Sequence, residues 1–128
     1  MKLLLDTHVL LWAAAGTGLS AAALDLLNDP ENQLYFSAAN VWEIAIKSSL
    51  GRPEFDLDAS VFRRELFESG YEEVPINSAH AAAVSTLPDL HKDPFDRILI
   101  AQAIVEGITL VSGDRLVLAY PGPIRSVL

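Results

Sequence analysis

Cysteine is absent from the chain. That excludes disulfides and thiolate metal sites, and it suits a reducing cytoplasm. Long apolar runs are absent too. The longest, Ile98 to Val105, is interrupted by Gln102 and falls well short of the ~20 residues that cross a bilayer, so no membrane partner is expected. The opening Met1-Lys2-Leu3-Leu4-Leu5 has one positive charge before it, and Asp6 and His8 break it, which argues against a secretion signal. Positive charge is scarce: 9 Lys and Arg stand against 17 Asp and Glu, for a net charge of −8. Nucleic-acid binding usually relies on a basic surface. Such a chain could bind a polyanion only where bound cations offset its acids, or where a few Arg and Lys line a groove. A basic protein partner fits the charge directly. No glycine-rich phosphate loop occurs. No serine sits in a nucleophile elbow, so a Ser/His/Asp triad cannot be built.

What remains is a chain of 128 residues, 51% hydrophobic, within the range of one domain spanning 1–128. Strand and helix signals alternate along it. Lys2 to Leu5 reads as a short buried strand, and Thr7 to Ala15 as a helix stopped by Gly16. Ser20 caps a helix over Ala21 to Asn28. Gln33 to Phe36 is a second strand, and Ser37 caps a helix from Ala38 to Leu50. In that helix Ala38, Val41, Trp42, Ala45, Ile46 and Ser49 make one mostly apolar stripe, and Gly51 ends it. A polar connection containing Pro53 leads to Asp58, the cap of Ala59 to Ser69. Tyr71 to Ile76 reads as an edge strand because Pro75 lacks a ladder donor. Ser78 caps a short alanine-rich helix. Asp93 caps a helix from Pro94 to Glu106, apolar almost all round and expected at the centre of the fold. Thr109 to Ser112 and Ile124 to Val127 complete the strands. Alternating βα units with short links predict an α/β fold with a mainly parallel sheet.

Such a sheet collects its active groups beyond the carboxyl ends of its strands. Asp6 and Asp114 follow strands, while Glu43 and Asp96 lie on helices. Each acid has an ordinary reading beside the functional one. Asp6 is a good N-cap. Glu43 can pair with Lys47 one turn on, for roughly 0.3 kcal/mol. Asp96 complements a helix dipole, but Asp93 already suffices as the cap. Asp114 follows Gly113 as in many turns. Jointly the four say more. Two carboxylates about 4 Å apart repel by roughly 4 kcal/mol at an effective dielectric near 20. Four in one crevice therefore hold protons or bind cations, and only cation binding suits hydrolysis at neutral pH. Ser112 stands close enough to add a hydroxyl. His91 precedes the Asp93–Asp96 turn, at the rim. His80 reads as a helix-surface residue, and His8 as one that packs or caps locally. Arg97 and Arg115 could reach substrate phosphates or form surface ion pairs. Lys47, Arg52, Arg97 and Arg115 are the only candidates for a basic path.

Four segments recur in one order in a known family: Leu3-Leu4-Leu5-Asp6-Thr7-His8, Ser37-Ala38-Ala39-Asn40-Val41-Trp42-Glu43-Ile44-Ala45-Ile46-Lys47, Asp93-Pro94-Phe95-Asp96-Arg97 with Ile100-Ala101-Gln102-Ala103, and Val111-Ser112-Gly113-Asp114. The chain resembles the PIN-domain ribonucleases, specifically the VapC-like toxins of toxin–antitoxin pairs. The resemblance implies a three-layer α/β/α sandwich. It also implies a Mg²⁺ or Mn²⁺ site of Asp6, Glu43, Asp96 and Asp114, with Thr7 and Ser112 as accessories. RNA cleavage, inhibition by a cognate antitoxin and homodimerisation follow from the same likeness. The antitoxin is expected to bring a basic segment to the acids. Asn40 departs from a frequent small hydroxyl residue and Pro53 from a common aliphatic one. Two rivals remain. A phosphotransferase using Asp6 as nucleophile usually has a second Asp two residues on, where this chain has His8. A non-enzymatic, receiver-like or protein-binding module would use its acids only as caps and solubilising charge.

Overall fold

Both faces of Lys2–Leu5 (β1) are apolar, and both are covered. In the computed structural model, which describes residues 1–128, Leu3 and Leu5 turn to one side of a sheet and Leu4 to the other, all without exposure. The remaining strands are Gln33–Ser37 (β2), Glu72–Val74 (β3), Thr109–Ser112 (β4) and Ile124–Ser126 (β5). All five run parallel, in the order β3-β2-β1-β4-β5. Helices Thr7–Ala15 (α1), Ala21–Asn28 (α2) and Ala59–Glu68 (α4) pack on the Leu3/Leu5 side through Val9, Leu10, Ala23, Leu27, Phe62 and Leu66. Helices Pro94–Glu106 (α6) and Arg115–Leu118 (α7) pack on the Leu4 side through Leu99, Ile100, Ala103 and Val117. Helix Ala38–Ser49 (α3) serves both layers, giving Ile44 to one and Ala39 to the other. The short helix Ser78–Ala83 (α5) packs on α6. The result is the α/β/α sandwich expected of this alternation.

The strand order reverses between β1 and β4, so chains leave these two neighbours in opposite directions and open a crevice at their carboxyl ends. Leu5 pairs with Val111, and the Asp6 amide still donates to the Val111 carbonyl at 3.1 Å. Asp6 and Ser112 therefore emerge side by side.

Local signals placed most elements. Asp6, Ser20, Ser37, Asp58 and Asp93 all accept backbone N–H bonds as N-caps. Gly107, at φ +67°, ends α6 in the left-handed region that a residue with a Cβ enters at a cost.

Other expectations need correction. Asn77, not Ser78, caps α5. Its Oδ1 accepts the His80 N–H, and His80 Nδ1 accepts the Asn77 N–H, a reciprocal box in which histidine takes the usual Glu position. His80 is consequently buried rather than on the surface, with Nε2 3.1 Å from Glu106. The buried line of α3 is Ala39, Asn40, Glu43 and Ile44, not the apolar stripe read from the sequence, and Trp42 is 55% exposed. Helix α6 is not enclosed all round, because Ile104 and Val105 in its last turn face solvent. The connection after α3 contains a 3-10 turn, Pro53–Phe55, that buries Phe55. Asp114 is a cap, as expected, and the turn it caps is helical, Arg115–Leu118.

Gln102, which breaks the apolar run of α6, is fully buried. Its amide nitrogen reaches the carbonyls of Val74 and Pro75 at 3.5 and 3.4 Å, and its Oε1 accepts the Ser37 hydroxyl at 2.6 Å. It thus ties α6 to the ends of β2 and β3. Gln102→Leu leaves those groups without partners and should lower unfolding free energy by about 1–3 kcal/mol in urea titration. A change within error would show that the clip carries no stability.

Candidate metal centre

Asp6 both caps α1 and faces the crevice. Its Oδ1 accepts the Val9 N–H at 2.9 Å, and its Oδ2 accepts the Ser112 hydroxyl from the adjacent strand. The Ser112 oxygen also accepts the Asp114 N–H at 3.0 Å, linking the two strand-end acids. Asp6 is only 4% exposed. Burial pushes its carboxyl above the ordinary range. The Ser112 and Val9 bonds and the nearby His8 pull it down, and Asp114 adds to the rise. His8 itself packs locally, its ring 5.9 Å from Trp12 and 5.8 Å from Phe55.

Glu43 is 3% exposed on the inner side of α3. Its Oε1 accepts the Thr7 hydroxyl at 2.5 Å and its Oε2 pairs with Lys47 one turn on. The ordinary pairing and the inward placement coexist. Thr7 in turn accepts from Asn40 Nδ2 at 2.9 Å, and Asn40 Oδ1 accepts the Ser37 N–H at 2.6 Å. Ser37 continues to Gln102. A chain of hydrogen bonds therefore runs from Glu43 through the core to β3. Asn40 is its junction, so the departure at this position is absorbed: both ends of the amide are used. Every buried side-chain polar atom has a partner.

Asp93 caps α6, its Oδ1 accepting the N–H of Phe95 and Asp96 at 2.8 and 3.2 Å. His91 Nε2 lies 2.7 Å from Asp96 Oδ2 and 3.8 Å from Asp114 Oδ2, so the imidazole sits between two of the acids. Asp114 caps α7 through the Leu116 N–H and stands at the rim, its side chain 42% exposed. The Asp96 carboxyl is pushed up to about 7, first by burial and next by the charge of Asp93. Asp6 and Glu43 add to the rise, while the His91 bond opposes it. Asp96 thus feels the charges of Asp93, Asp6 and Glu43, and Asp6 that of Asp114.

His91, Asp93 and Asp96 bring one donor atom each within 4.8 Å of one another. The four acids singled out in the sequence form no group of three that tight, because Asp6 and Glu43 turn oxygens to Val9, Ser112, Thr7 and Lys47. Carboxylates and an imidazole, with no thiolate, fit a hard or borderline divalent cation. A cation that keeps several waters, as Mg²⁺ does, can span the wider spacing.

Arg97 makes hydrogen bonds instead of the surface ion pair considered for it. Its guanidinium donates to the carbonyls of Pro88 and Val84 at 3.0 and 3.2 Å and to the Tyr120 hydroxyl at 2.9 Å. It braces the segment before α6. Arg52 and Arg115 are exposed. A concavity of about 900 Å³ lies elsewhere, between α1, α2 and α4. Sequence reasoning missed the roles of Asn40 and Gln102. The amide three residues after the Ser37 cap was a usable signal, since that is capping-box spacing.

The raised Asp96 carboxyl links stability to pH. Unfolded, the group releases its proton near 3.8; folded, it keeps it to about 7. Its contribution is complete below about 3.8 and is lost as pH rises through about 7, where folding must hold a buried anion. In EDTA, the Tm of the wild type relative to Asp96→Asn should fall between pH 5 and pH 8. A constant difference would contradict the burial argument.

The pattern of the PIN domain family matches residues 3–121. No curated protein sequence matches the chain significantly. Solved structures share its fold at low identity. A chain of VapBC2 from Rickettsia felis bound to a DNA fragment from their promoter superposes with a TM-score of 0.71 at 18% identity, over 98% of each chain. A chain of DNA-bound VapBC from Salmonella typhimurium gives 0.69 at 16% identity, over 100% of this chain and 99% of that one. A chain of a toxin–antitoxin complex from Klebsiella pneumoniae gives 0.67 at 18% identity, over 98% and 97%. A parallel sheet ordered β3-β2-β1-β4-β5, acids at its strand ends and a match over nearly the whole length lead to one conclusion: the chain belongs to the PIN domain family.

Proposed function

We propose that the chain is a metal-dependent endoribonuclease, one domain throughout, and the toxin of a toxin–antitoxin pair. The observation that carries this reading is the linkage of the acids at the strand ends: Ser112 bridges Asp6 to Asp114, and the His91 imidazole lies between Asp114 and Asp96. Family membership supports hydrolysis. The assemblies in which its structural neighbours were solved support the antitoxin.

In this reading Asp6, Asp96 and Asp114 hold Mg²⁺ or Mn²⁺, directly or through water. A bound divalent cation supplies charge stabilisation at the leaving oxygen and a more acidic water. Ser112 fixes the rotamer of Asp6. Thr7 and Lys47 hold Glu43 so that its carboxylate orients the attacking water. His91 adds a nitrogen donor, which suits Mn²⁺ better than Mg²⁺. The cytoplasm holds the RNA substrate. No helix of the chain is long and apolar enough to cross a membrane. The antitoxin presents a basic segment, with an Arg among the carboxylates, and blocks both cation and substrate. The active form is a homodimer.

The purified protein should cleave RNA with Mg²⁺ or Mn²⁺ and stop in EDTA. Asp6→Asn and Asp96→Asn should abolish cleavage without lowering Tm. Ser112→Ala, which releases Asp6, should cost roughly 10–100-fold. Millimolar Mg²⁺ should raise the wild-type Tm, since it binds the folded cluster better than the open chain. Cleavage retained by Asp6→Asn would remove the assignment. Mn²⁺ should support cleavage at lower concentration than Mg²⁺, and His91→Ala should narrow that gap. An unchanged gap would take His91 out of the cation's surroundings.

A further inference from the structure

We infer that Trp42 is a stacking platform for an unpaired base of the RNA, set at the mouth of the acidic crevice; the inference rests on the ribonuclease reading above. Burying Asn40 and Glu43 rotates α3 so that Trp42 turns outward while Val41 and Ile46 stay half-buried. Trp42 is left 55% exposed, more than any other aromatic residue of the chain. An indole this open forgoes much of the burial that usually justifies a tryptophan.

Its one aromatic neighbour is Phe95, at 5.0 Å between centroids and 75° between planes. A perpendicular contact covers at most one face of the indole, so the other is available. Phe95 is itself held: Lys47 Nζ lies 5.8 Å from its ring centroid and bonds Glu43. Phe95 also directly precedes Asp96. The contacts Trp42–Phe95–Lys47–Glu43 form an unbroken line from the open indole to the acids.

Charge explains why such a platform is needed. The net charge is −8, and the crevice is its acidic part. Lys47 is committed to Glu43, and Arg97 to backbone carbonyls and Tyr120. Of the four candidates for a basic path only Arg52 and Arg115 stay exposed, so a polyanion gains from a grip that does not depend on opposite charge. Base stacking on an aromatic ring supplies one, and it accepts any base because each has a π face. Only unstacked bases can reach the ring, so the ligand is single-stranded RNA or a loop. A second copy of the chain is the competing occupant.

The chain has two tryptophans, so Trp12→Phe leaves Trp42 as the only indole. In that background, with Asp96→Asn to prevent cleavage and remove one acid from the crevice, oligouridylate and oligoadenylate should quench the emission, and duplex RNA should not. Trp42→Ala should weaken binding roughly 5- to 100-fold, and Trp42→Phe much less. In the otherwise native enzyme, Trp42→Ala should raise KM by a similar factor and leave kcat within about twofold, with Tm preserved. RNA bound without quenching, together with an unchanged KM in Trp42→Ala, overturns the platform alone. A dimer that Trp42→Ala converts to monomer in sedimentation, with RNA affinity unchanged, assigns the face to a second copy. An enzyme that cleaves no RNA in any metal overturns the ribonuclease reading, and this inference with it.

Discussion

Keeping two carboxylates out of water is the constraint on which the rest of the structure turns. Asp6 and Glu43 are almost fully buried, and a buried acid persists only where each oxygen meets a donor. Asp6 draws one donor from its own helix and one from the neighbouring strand. Glu43 draws one from the residue after Asp6 and one from Lys47. Those demands bring together β1, β4, α1 and α3. The Thr7–Asn40–Ser37–Gln102 relay extends the same logic through the core to α6 and β3. Such a relay is expensive to break, since a member that loses its partner keeps its desolvation cost. It holds the acids in fixed directions before any ligand arrives.

The fold makes this arrangement possible by its strand order. Reversal between β1 and β4 puts two strand ends beside each other and lets helices depart to opposite faces. Asp6 and Ser112 come from those ends, and α3 and α6 deliver Glu43 and Asp96 from the side. His91 then stands between Asp96 and Asp114, where opposing acids most need a partner. Lys47 is committed within the crevice and Arg97 braces the fold, which leaves little positive charge to attract RNA in general. On the proposed reading, RNA binding depends on the cation and on contacts to bases.

Much of this was legible in the residues, and the pattern of what was not is instructive. The strands, the caps at Asp6, Ser37 and Asp93, and the glycine stop at Gly107 depend on neighbours in the chain, so short-range rules find them. The acids were legible because they recur at strand ends and in a helix first turn. Helix α3 shows the limit. Counting apolar residues selects the face of Val41, Trp42 and Ile46, yet the buried face carries Asn40 and Glu43. Their hydrogen-bond partners, Thr7 and Ser37, lie on or beside other elements, and periodicity within one helix cannot register them. Gln102 misleads for the same reason, as an interruption of an apolar run that is in fact the clip holding α6. His91 lies in an irregular segment before α6, and its position in the chain next to Asp93 and Asp96, rather than any period, placed it at the rim. Polar residues that break a hydrophobic pattern therefore marked the site more faithfully than the pattern itself.

The central claim is that a divalent cation is held where Asp6 and Asp96 face each other across the crevice. Anomalous diffraction from crystals grown with saturating Mn²⁺ tests it most directly. The account predicts one or two peaks in contact with the carboxylates of Asp6 and Asp96, with His91 or Asp114 beside them, and loss of the peaks in Asp96→Asn. Peaks only at surface acids away from the β1 and β4 ends, or none at all, would contradict it.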